Sequence, residues 1–62
     1  MKVRDIIEVV EADGWVMVKQ TGSHRQYKHP TKKGKDTIPG HPNGDVHPKT
    51  LASIYEQAQL TR

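Results

Sequence analysis

With 62 residues the chain has room for one domain around one small core. It holds no cysteine, which excludes disulfides, thiolate zinc sites and thiol chemistry together, and no stretch of about 18 apolar residues that could cross a bilayer. With no apolar run like a signal peptide at the N-terminus, these features predict a single domain over residues 1–62, free of membranes and cytoplasmic. The net charge of +3 is unevenly spread. Lys19, Arg25, Lys28, Lys32, Lys33 and Lys35 form a basic middle that no acidic residue interrupts, whereas Asp5, Glu8, Glu11 and Asp13 gather in the first segment. A basic surface of this kind suits a polyanion, although lysine-rich surfaces also serve solubility alone.

Val3, Ile6, Ile7 and Val10 recur at the spacing of one apolar helical stripe, which predicts a first helix over residues 3 to 13. Gly14 is placed to close it. The period then changes: Trp15, Val16, Met17 and Val18 predict a strand buried on at least one side. Gln20-Thr21-Gly22-Ser23 has the composition of a tight turn, and residues 24 to 29 are again extended, so the pair predicts a β-hairpin. Alternation then puts His24, Gln26 and Lys28 on one face and Arg25, Tyr27 and His29 on the other, with Tyr27 inward if the register holds. Asp36-Thr37-Ile38-Pro39 predicts a short third strand at an edge or strand end. A loop with Pro42, Asn43 and Gly44 leads to a last helix started by Pro48, with Leu51, Ile54, Tyr55 and Ala58 at helical spacing. The predicted class is α+β, in the order α-β-β-β-α, with two helices on one face of a three-stranded antiparallel sheet.

Histidine is the side chain whose ordinary pKa allows proton transfer in both directions near neutral pH. Cleaving RNA through its 2′-hydroxyl needs a base, an acid and positive charge for the phosphate, and a histidine among lysines supplies these without a metal. Of the four histidines, His41 and His47 sit in a loop, where solvation or a local hydrogen bond is the ordinary role. His29, before Pro30, reads as structural or phosphate-adjacent, and His24 by position alone is an ordinary exposed residue. No cysteine accompanies the histidines and their spacing matches no zinc site. Glu8 and Glu11 belong to a solvated helix face, Gly22 and Gly34 are too sparse for a phosphate loop, and Trp15 reads as core.

The run Asp13-Gly14-Trp15, then Gln20-Thr21-Gly22-Ser23-His24-Arg25-Gln26-Tyr27-Lys28-His29-Pro30, resembles the HicA toxin family. Thr37-Ile38-Pro39, Thr50-Leu51-Ala52-Ser53-Ile54 and Gln57-Ala58 extend the resemblance over nearly the whole chain. It implies a fold similar to the double-stranded RNA-binding domain. It also implies a toxin that cleaves single-stranded messenger RNA, arrests translation and is neutralised by a HicB antitoxin. The family's essential histidine follows Gly-Ser, and by motif it carries over to His24. Lys19, Ser23, Arg25, Lys28, Lys32, Lys33 and Lys35 are the candidate RNA contacts, with no cofactor or metal and a monomer when free. Tyr27 is a weaker candidate for positioning. The rival readings are an inactive RNA-binding module and a co-repressor subunit that acts with the antitoxin. Gln59 departs from the family, which more often has Gly after the Gln-Ala pair, and this bears on the end of the last helix alone.

Overall fold

The first apolar stripe folds as helix α1 (Val3–Ala12) in a computed structural model that describes residues 1–60. Val3, Ile6 and Val10 are buried along it. The helix ends as Gly14 predicts: its N–H donates to Glu11 O and that of Trp15 to Val10 O, with Gly14 at φ +107°. This paired closure uses a left-handed residue to satisfy the last carbonyls. At the other end Lys2 offers no side-chain cap. Backbone carbonyls of the distant loop take its place: Val3 N donates to Gly44 O (2.9 Å) and Arg4 N to Pro42 O (3.0 Å), while Arg4 Nη1 reaches Asn43 Oδ1 (2.8 Å). The Pro-Asn-Gly segment is thereby the cap of α1, a role that no local pattern announces.

Three strands follow, β1 (Val16–Thr21), β2 (His24–Lys28) and β3 (Asp36–Ile38), in an antiparallel sheet with β2 at the centre. Thr21 pairs with His24, so the turn is Gly22-Ser23 alone and Gln20 and Thr21 belong to the strand. Gly22 has φ +59° and Ser23 does not share the positive φ. That is the pattern of a two-residue turn whose twist matches the strands it joins. Tyr27 and Ile38 point to the helices and join Val3, Ile6, Val10, Trp15, Val46, Ile54 and Ala58 in one core.

One sequence expectation needs correction. Trp15 is buried, but Val16, Met17 and Val18 are 60%, 45% and 56% exposed, and all six residues of β1 are exposed. The helices sit over β2 and β3, so β1 extends past the layer that would have buried it. Its apolar composition reflects the pleated backbone rather than the core.

Helix α2 (Pro48–Gln57) begins with His47 Nδ1 accepting from Lys49 N (3.2 Å) and with Pro48 in the first turn. Leu60 N donates to Tyr55 O and Gln59 N to Glu56 O, the same closure as on α1, with Gln59 at φ +57° in the place where glycine is usual. The departure at Gln59 is thus confined to a helix end, where its side chain also donates to Lys33 O (2.9 Å).

Asp36 is the one charged group wholly inside the described residues, at 0% exposure, and neither carboxyl oxygen has a hydrogen-bond partner there. Burial pushes its pKa up to about 7. A group whose folded pKa lies above its unfolded value of 3.8 binds more protons folded than unfolded, so stability falls as pH rises from about 4 to 7 and is flat beyond. Asp36→Asn is expected to remove this slope, with little effect at pH 4 and a stabilisation at pH 8 of up to about 4 kcal/mol, the linkage value of roughly three pKa units. Thermal melts at the two pH values measure it.

Candidate functional site: the open face of the sheet

Cross-strand pairing settles which side chains share the face that the helices leave open. His24 lies opposite Thr21, Gln26 opposite both Lys19 and Thr37, and Lys28 opposite Val16. Directly paired residues in an antiparallel sheet project to the same side. The predicted alternation therefore holds: His24, Gln26 and Lys28 face outward, while Arg25 and Tyr27 are buried beneath them. Tyr27, at 2% exposure, is core and offers no surface on which a base could stack.

His24 stands at the first position of β2, directly after the Gly22-Ser23 turn. Its side chain is exposed and makes no hydrogen bond to another described residue, so both imidazole nitrogens are open to a ligand. Lys19, two residues before its partner Thr21, is the diagonal neighbour on the same face, at a backbone separation of about 7–8 Å that a lysine side chain can cover. Lys28 lies about 13 Å further along the strand. Lys33 and Lys35 are exposed in the connection from β2 to β3. The face is thus a largely polar strip with an imidazole at one end and the ammonium groups of Lys19 and Lys28 along it, broken by Val16 beside Lys28.

Two of the basic residues singled out in the sequence are not on this strip. Arg25 is only 8% exposed, on the helix side, and its Nη1 donates to Gly40 O (2.8 Å) and Ser23 O (3.3 Å). It ties the turn that carries His24 to the loop after β3. Lys32 is held by Asp13 Oδ2 and by the carbonyls of Ala58 and Gln59, which pins the connection after β2 to both helix ends. That ammonium, chiefly through its hydrogen bond, holds the Asp13 carboxyl below its ordinary pKa. Ser23 is half-buried and presents its carbonyl to Arg25. Arg25→Lys, which keeps the charge but loses the fork, is expected to cost about 2 kcal/mol and to speed amide exchange in the turn. A melt and an exchange time course check both.

The other histidines are spoken for or remote. His29 Nδ1 accepts from Thr31 N (3.1 Å) and Lys32 N (3.0 Å), so Nε2 carries the proton and donates to Asp13 O (2.7 Å). Its ring meets the Trp15 ring edge-on at 5.3 Å, and a Cβ on Gly14 would stand 2.8 Å from Nε2. His29 is therefore structural, the first of its two expected roles, and His47 is the cap of α2. Sequence reasoning placed Gln26 on the face of His24 but did not single out Thr21 and Thr37 as neighbours of the site. The two-residue turn carried that signal for Thr21, but Thr37 needed the β2–β3 register.

An open strip of this composition can bind a chain of phosphates and present one imidazole to it. Among curated proteins none matches the chain. The family of HicA toxins of bacterial toxin-antitoxin systems matches residues 3–60, a span that includes both helices, the whole sheet and the Gly22-Ser23-His24 turn. On that match the chain belongs to the HicA toxin family of bacterial toxin-antitoxin modules.

Proposed function

We propose that this toxin is an endoribonuclease that cuts single-stranded messenger RNA in the cytoplasm and so arrests translation, without a metal ion. The observation that carries the reading is His24 itself: exposed, unbonded and fixed at the edge of a basic strip by a glycine turn braced from below by Arg25. In this reading the imidazole moves the proton of the attacking 2′-hydroxyl or of the leaving oxygen, and Lys19 neutralises the phosphate between them. Lys28, Lys33 and Lys35 hold the flanking phosphates, while Arg25 and Lys32 act by positioning. Ser23 shapes the turn, with its carbonyl already engaged.

A toxin of a two-part module is silenced by its partner, and a HicB-like protein that covers this strip with acidic groups is the corresponding antitoxin. The test of the activity is incubation of the purified protein with a mixed-sequence single-stranded RNA and excess chelator. Cutting that persists in chelator supports the reading. Salt-dependent binding with the RNA left whole supports instead an inactive RNA-binding module.

A further inference from the structure

The basic strip leaves one feature of the surface unused. Val16, Met17 and Val18 are consecutive, apolar and exposed, on the strand at the edge of the sheet. They do not lie on one face. Val16 pairs with Lys28 and belongs to the open side, whereas Met17 pairs with Tyr27 and belongs to the helix side, beyond the reach of the helices. An occupant that covers both must approach in the plane of the sheet. A nucleic acid lying on the strip, or a helix on either face, covers one and leaves the other wet. A strand added alongside β1 covers both and uses its outward N–H and C=O groups as well.

The two edges of the sheet differ in a way that favours β1. On β3 the Thr37 N–H already donates to Gln57 Oε1 (3.0 Å), and Pro39 follows the strand. No side chain among the described residues caps the outer edge of β1, and its own sequence has neither proline nor an acidic residue. Charge selects the occupant. Lys28 lies across from Val16, and Lys19 follows Val18 beyond an irregularity in the register between Met17 and Lys19. A second copy of a chain with net charge +3 would set ammonium groups against each other there. A strand with apolar residues at its centre and Asp or Glu opposite Lys19 fits, with Lys28 one strand further in on the open face.

We propose that the outer edge of β1 is the docking site of the antitoxin, which adds an acidic-flanked strand to this sheet. The inference rests on the toxin-antitoxin reading above and gives it a location: a strand seated there runs beside Lys19 and stops next to the His24 turn. The edge contact holds the partner in place, and the partner's acids cover the strip.

The test uses this protein and the antitoxin of its own module. Met17→Glu lies on the helix side, away from the strip, so RNA cleavage by the free protein is expected to be unchanged. Its affinity for the antitoxin is expected to fall roughly 30-fold or more, because the exchange removes apolar contact and sets like charges together. Amide exchange of the wild-type complex is expected to show new protection in β1. Wild-type affinity in the variant, with β1 exchanging as fast in the complex as in the free protein, overturns the docking site while leaving the nuclease reading intact. A self-dimer of the free chain that Met17→Glu dissolves overturns it in favour of a second copy. Protection of β1 in a protein that cuts no RNA upholds the docking and rejects the nuclease.

Discussion

His24→Ala is expected to reduce RNA cleavage by about 10²- to 10⁴-fold, the usual contribution of one positioned proton-transfer group, and to leave the melting temperature unchanged. The two halves of that expectation have separate causes. The side chain is exposed and bonds to no other described residue, so its loss takes nothing from the fold. The proton transfer has no replacement on this face, since His29 packs against Trp15 with both ring nitrogens engaged, His47 caps α2 and His41 lies in the loop after β3. His24→Gln, which retains a hydrogen-bonding side chain of similar reach, is expected to fail as fully as alanine. Single-turnover cleavage of a labelled RNA by the three proteins, each first checked by thermal melt, decides the matter. A glutamine variant that cuts at the wild-type rate would reduce His24 to a binding residue.

His29→Ala is expected to have the reverse profile, a loss of roughly 3 kcal/mol or more of stability from a residue that no chemistry uses. One ring receives the Thr31 and Lys32 amides, donates to the Asp13 carbonyl and packs against Trp15. It therefore joins the end of α1, the start of β1 and the connection after β2. Its removal leaves the part-buried Asp13 carbonyl and Lys32 amide without their partner beside a cavity, and a 62-residue domain has little stability in reserve. The expected observation is a melting temperature lower by at least about 10 °C, given that 1 kcal/mol shifts a domain of this size by roughly 4–8 °C. Gly14→Ala is expected to follow the same direction, because its Cβ meets His29 Nε2 at a residue with positive φ. A melt within a few degrees of wild type for both variants would refute this account of His29.

Much of the fold was legible because it rests on local periodicity. The stripes of α1 and α2, Gly14 as a helix end, Pro48 as a helix start and the alternation in β2 are each set by interactions within a few residues, and each appears as expected. The candidate site was legible to the same depth. The turn at Gly22 and the two-fold period of the strand place His24, Gln26 and Lys28 on one face, whatever surrounds them.

What lay beyond the sequence depended on where the elements end up relative to one another. Val16, Met17 and Val18 have the composition of a buried strand, but burial is decided by which strands the helices cover, and β1 is not among them. Arg25 and Lys32 count equally with Lys19 and Lys28 in a tally of charge, yet the partners that divert them, Gly40 O for one and Asp13 and Ala58 O for the other, are 15 to 26 residues away. The sequence by itself determined the elements, the hairpin and the face that carries His24, because short-range sterics and side-chain period suffice for them. Only the tertiary structure decided which basic residues are free, which edge of the sheet stays open and which carboxylate is buried, because those depend on contacts between residues distant in the chain.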